Sequence, residues 1–183
     1  MFWYEPNFQE TMPFHHNKPD QLEKNFKFCL EKLSSSPYHL VIKDALLRYV
    51  RALDENDPNT AAIRIWGAME TLASPNEARY DRIIKRCSFL FDEEEYHRQL
   101  LEHLREFRNR TVHSGDQSEK AKTFCFQLQF YFRQLILFHL GNASHFDSLD
   151  EANDFLDLPA DSKSLLSKQK QILKALEFRG IKL

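Results

Sequence analysis

The sequence predicts an all-α protein, and three observations carry that expectation. Only four glycines occur in 183 residues, well below average usage of roughly 7%. Apolar residues recur at three- and four-residue spacing over long stretches, and almost nothing alternates with the period of two that a half-buried strand needs. Sixteen phenylalanines supply much of the apolar mass, and a chain of this length buries a real core as one domain.

Residues 1–19 stand apart from the rest. Phe2, Trp3, Tyr4, Phe8 and Phe14 lie among Pro6, Pro13 and Pro19 with no helical or strand period. They read as an extended arm whose aromatics pack onto the domain or onto a partner, because a flexible tail seldom carries so many. The His15-His16 pair has no carboxylate or cysteine cluster near it, so no metal site is expected there.

Residues 20–183 read as a single helical domain. Helices are expected over about 20–34, 37–55, 59–74, 76–91, 93–113, 116–141, 148–157 and 161–178, a bundle of six to eight helices. Asp20-x-x-Glu23, Asp92-x-x-Glu95, Asp116-x-x-Glu119 and Ser148-x-x-Glu151 each place a short acceptor three residues before a glutamate, a helix-opening signature. Pro37 and Pro58 are placed at helix starts, where a missing amide proton is harmless. Gly115, Gly141 and Gly180 are placed at helix ends.

Charge and cysteine usage narrow the function. With 25 Lys and Arg against 27 Asp and Glu, the surface as a whole does not attract nucleic acid, so any such binding is local. Cys29, Cys87 and Cys125 are scattered among apolar neighbours and read as reduced core thiols of a cytoplasmic protein. The chain opens without a charged-then-apolar leader, so no secretion is expected. The most apolar run, Phe124 to Leu140, is interrupted by Gln127, Gln129, Arg133 and Gln134. A spanning helix needs about 20 predominantly apolar residues, so this run is expected to be a core or interface helix and no membrane partner is expected. Phosphate loops, Cys-x-x-Cys, His-Glu-x-x-His and nucleophile elbows are all missing. No metal or cofactor is expected, and a nuclease built from this chain would have to run on side chains alone.

Two segments carry candidate chemistry. In the helix over 76–91, Tyr80, Ile83, Ile84, Cys87 and Phe91 form a buried stripe, while Arg79, Arg82, Lys85 and Arg86 form a basic face opposite it. That face is either simply solvated or the place where an RNA backbone is held. The second segment is Arg105-Glu106-Phe107-Arg108-Asn109-Arg110-Thr111-Val112-His113-Ser114-Gly115. Leu100, Leu101, Leu104, Phe107 and Val112 supply its buried stripe, with Arg108 at the stripe's edge. Arg105, Asn109 and His113 repeat every four residues as a polar face, with Arg110 nearby. A cation so close to the core needs a partner. One reading makes the segment a helix end whose dipole gathers cations. The other makes it a phosphodiester site, with an arginine to grip phosphate and an imidazole to move protons.

The pattern Arg108-Asn109-x-x-x-His113 followed by Ser-Gly resembles the arginine-to-histidine signature of the HEPN superfamily of all-helical domains. With Ile65-Trp66-Gly67-Ala68-Met69-Glu70-Thr71-Leu72, it looks most like the Apea-like HEPN branch, over roughly residues 40–160. The resemblance implies a metal-independent endoribonuclease with a toxin or anti-phage role. In such an enzyme the RNA 2′-hydroxyl attacks its own phosphate at a site shared by a homodimer. By the same resemblance, Arg108 would hold phosphate, His113 would handle the proton and Asn109 would orient the site. Arg105, Arg110, Arg79, Arg82 and Arg86 are the expected RNA contacts. Glu70, at the edge of the stripe formed by Ala62, Trp66, Met69 and Ala73, is expected to pair with Arg108 in support. The Phe124 to Leu140 helix has aromatic surface to spare for a dimer interface. RNA and a second copy are the expected partners, with a regulatory protein or adjoining domain as a further one. The alternative function is a non-catalytic HEPN-like module that binds RNA or a nucleotide or regulates a partner.

Overall fold

The computed structural model describes residues 17–76, 79–115 and 117–181. Within them eight helices follow one another: α1 (Pro19–Ser35), α2 (His39–Leu53), α3 (Pro58–Ala73), α4 (Tyr80–Ser88), α5 (Glu94–Ser114), α6 (Ala121–Gly141), α7 (Leu149–Leu156) and α8 (Ser162–Phe178). The described residues contain no strand, so the all-α architecture holds. No described helix is long and apolar enough to cross a membrane. The aromatic arm falls outside the described residues as far as residue 16, as do the His15-His16 pair and Asp116.

The centre of the bundle is α3, which packs most extensively on α2 and α6. Its sequence explains this position. Ala61, Ala62, Ala68 and Ala73 let neighbouring backbones approach, while Ile65, Trp66, Met69 and Leu72 fill the volume between them. A helix apolar around most of its circumference belongs inside. From α6, Leu128, Tyr131, Phe132 and Leu135 meet it, and Ile42 and Ala45 do so from α2. α1 lies across α2 and α6, with only Cys29 and Leu33 against the core. α1 and α8 contribute no buried residue.

Helix ends depart from expectation where tertiary contacts intervene. Of the three acceptor-to-glutamate signatures whose acceptor is described, only Ser148 caps, its Oγ accepting from Glu151 N at 3.1 Å. Asp20 falls inside α1, which Pro19 opens, and α5 starts at Glu94 with no side-chain cap. The caps that do form elsewhere are Asp57, accepting from the amides of Asn59 and Thr60, and Asp161, accepting from Ser164 N. These hydrogen bonds hold the Asp57 carboxyl down at about 2. α2 begins two residues after Pro37. α6 begins at Ala121, not near 116, because Asn59 Oδ1 accepts from Ser118 N at 3.0 Å and holds that segment against the start of α3. Gly115 at φ 66 and Gly180 at φ 71 occupy the left-handed region that ends helices.

Cys87 and Cys125 are buried thiols and Cys29 is half-buried; burial pushes Cys87 up to about 12. His139 is fully buried. Its Nδ1 lies 3.2 Å from the Tyr38 hydroxyl, its Nε2 has no partner among the described residues, and burial pushes it down to about 4.

Candidate functional site

α5 carries the site along its second half. Leu101, Leu104 and Phe107 are buried as expected. Val112 is not: it is 43% exposed and stands outside the core cluster, as the last turn of α5 runs past the core. Arg108 therefore marks the point where the helix leaves the protein interior.

The Arg108 side chain is only 16% exposed, and three helices account for it. Its guanidinium carbon stands 4.8 Å over the Tyr80 ring of α4, a cation–π contact. Nη2 lies 4.0 Å from Glu70 Oε1 on α3, an ion pair at long range. Nη1 donates to Asn109 Oδ1 at 3.2 Å. Nε is buried with no hydrogen-bond partner among the described residues. Glu70 is in turn anchored by Trp66, whose Nε1 donates to the same Oε1 at 3.0 Å. Burial raises the Glu70 carboxyl above its usual range, against the opposing pull of Arg108 and the Trp66 hydrogen bond. The expected Glu70–Arg108 partnership is thus present. Tyr80 as the platform under Arg108 had no signal in the sequence, where it reads only as stripe. Trp66 to Glu70 is an i,i+4 pair that helical spacing does expose.

Beside this knot, α4 and α5 enclose a cleft of about 510 Å³ lined by Arg79, Tyr80, Asp81, Arg82, Arg105, Glu106 and Asn109. Arg105 Nη1 donates to Asp81 Oδ1 at 2.6 Å across it. Four of the sequence-predicted residues, Arg79, Arg82, Arg105 and Asn109, meet here, and their three cations outnumber the two carboxylates. Such a cleft suits a phosphate chain.

Three predicted residues lie elsewhere. Arg86 is 5% exposed and does not belong to a basic face. Its Nε and Nη2 grip Asp157 at 3.0 and 2.6 Å, and Nη1 donates to Ala73 O at 2.5 Å. The cause is α7, which packs against that side of α4 and brings Asp157 at its end. Asn153 Nδ2 likewise donates to Leu72 O at 2.9 Å, so α4 and α7 together close the C-terminal end of α3. Arg110 is exposed on the other side of α5, lining a cleft of about 520 Å³ with His103, Gln117 and Lys120.

His113 is exposed in the final turn, on the same face as Arg105 and Asn109. From Arg108 it stands about 140° around the helix and about 7.5 Å along it by α-helical geometry. One chain does not bring the arginine and the histidine together. Among the described residues no group of three or more His, Cys, Asp or Glu side chains is placed to hold a metal ion.

No protein-family model matches the chain, and neither does any curated protein or solved structure.

Proposed function

We propose that this chain is a metal-independent endoribonuclease of the HEPN type, working at a site composed from two copies, in a toxin or anti-phage defence role. The observation that carries the reading is the end of α5. Arg108 is held in one orientation by Tyr80, Glu70 and Asn109, next to a cationic cleft, while His113 stands exposed one turn beyond Asn109, on the helix face that four-residue spacing gives to Arg105 and Asn109. RNA laid in the cleft would have its backbone held by Arg79, Arg82 and Arg105. The 2′-hydroxyl then attacks the adjacent phosphorus, the bond to the 5′-oxygen breaks, and a 2′,3′-cyclic phosphate and a free 5′-hydroxyl result. Arg108 offsets the charge on the phosphorane, and imidazoles from the two copies take the 2′-hydroxyl proton and supply one to the leaving oxygen. A two-fold axis is what would bring one chain's His113 to the other's arginine, since helix geometry keeps the two apart within a chain. Like-charged faces meeting at that axis repel, so bound RNA or sulfate should tighten the dimer.

The test is incubation with total RNA in EDTA. Wild type should cleave and leave cyclic phosphate ends. His113→Ala should lose about 10²–10⁴-fold with helicity unchanged by circular dichroism. Cleavage that stops on chelation, 5′-phosphate ends, or full activity in His113→Ala would refute the mechanism.

A second reading is a non-catalytic module that binds RNA or a nucleotide. It is favoured by the engagement of Arg108 with Glu70 and Tyr80, which suits a structural cation. Retarded RNA that is never cut, with binding lost in Arg82→Ala and Arg105→Ala but kept in His113→Ala, would select it.

A further inference from the structure

Between α2 and α6 runs an apolar cleft of about 370 Å³. Leu46 and Tyr49 line it from α2, and Phe126, Phe130, Phe132 and Ile136 from α6. Tyr49 stacks on Phe132 with ring centroids 4.3 Å apart, tying the two walls together. Phe126 and Phe130 nevertheless stand exposed at its rim. Exposed rings gathered along one groove mark a surface that something covers.

α1 lies on the same seam, packed on both α2 and α6 through Cys29 and Leu33. Leu22 and Phe26, nearer its start, remain exposed. Residues 1–16 precede that helix. They hold Phe2, Trp3, Tyr4, Phe8 and Phe14, two carboxylates in Glu5 and Glu10, and no Lys or Arg. The charged residue lining the cleft is Arg133, which is exposed and forms no ion pair with a described residue. Reach is sufficient. The 17 residues of α1 span about 25 Å at helical rise, whereas sixteen extended residues span about 50 Å. The segment can double back along all of α1 and still lay several residues in the groove.

We propose that the chain's own residues 1–16 dock in the α2–α6 cleft, their aromatic rings against Leu46, Phe126 and Phe130 and their carboxylates toward Arg133. The match is one of chemistry on both sides: an aromatic, acidic segment and an apolar groove with a cation at its rim. This docking is independent of any RNA chemistry at α5.

Tryptophan fluorescence tests it in the full chain. The protein holds two tryptophans, Trp3 and Trp66, and Trp66 is fully buried, so quenching by acrylamide reports Trp3. In wild type the quenching constant should be low. Phe126→Asp and Arg133→Glu, both at exposed positions, should each raise it severalfold with helicity unchanged. Limited proteolysis should then remove residues 1–16 faster from both variants than from wild type. A wild-type constant already equal to that of the variants would overturn the proposal. Protection of Trp3 that survives both substitutions would place the segment elsewhere and overturn it too. Protection lost on dilution, at constant helicity, would assign the groove to the segment of a second copy, contrary to the intramolecular docking.

Discussion

His139 offers the sharpest quantitative test of the core. It sits fully buried on α6, with Nε2 unpartnered among the described residues and its pKa lowered by burial from 6.5 to about 4. In the unfolded chain it titrates near the ordinary value. Unfolding therefore takes up a proton at any pH between those values, and stability falls as pH drops through that window. Linkage gives a loss of about 2 kcal/mol by pH 5 and about 3 kcal/mol by pH 4, relative to pH 8. Against a total of about 5–15 kcal/mol for a domain this is a large share. The assay is urea denaturation followed by circular dichroism at pH 7.5, 6, 5 and 4, on wild type and His139→Phe. The variant changes packing and loses the Tyr38 contact at every pH, so the comparison is of slopes. Asp57 and Glu95, both held down at about 2 in the folded protein, and Glu70 also change stability as pH falls, but they do so equally in both proteins and cancel in the comparison. Wild type should lose about 2 kcal/mol more than His139→Phe between pH 7.5 and 5. Parallel curves for the two proteins would refute the reasoning.

Asp157→Ala should destabilise by about 3 kcal/mol in urea denaturation, because it leaves the Arg86 guanidinium buried without its counter-charge. Arg86→Met in that background should recover part of the loss, and a cost below about 1 kcal/mol would show that the pair is not structural. Gly115→Ala should cost about 1–2 kcal/mol, all of it backbone strain: φ is 66 and an added Cβ meets nothing within 4 Å. Equal thermal stability of Gly115→Ala and wild type would contradict the left-handed helix end.

Much of the architecture was legible in the residues themselves. The eight expected spans correspond one to one with the eight described helices, because hydrophobic period and punctuation by Pro and Gly are local properties. Their ends were less legible. Asp92 and Asp20 carry the capping pattern without capping, while the real caps at Asp57 and Asp161 lack a glutamate three residues on. Asp20 fails as a cap because α1 already opens at Pro19, and Asp92 because α5 starts at Glu94, one residue too late for it. Arg86 shows the same limit. Its neighbours Arg82 and Lys85 are exposed, and nothing in the helix 80–88 announces that α7, some seventy residues later, will cover it.

The sequence by itself determined the helical class, the order of the helices and the concentration of Arg, Asn and His at the end of α5. These follow from short-range periodicity and composition. Tertiary structure alone decided which arginines share a cleft. Arg79, Arg82 and Arg105 converge because α4 lies along α5, Arg86 is withdrawn into an ion pair, and Arg110 faces the opposite side. It also supplied Tyr80 as the partner of Arg108 and formed the groove between α2 and α6. The physical reason is range. Helix propensity and amphipathicity are set within a few turns, whereas the neighbours of a side chain depend on elements that the chain brings back from far along its length.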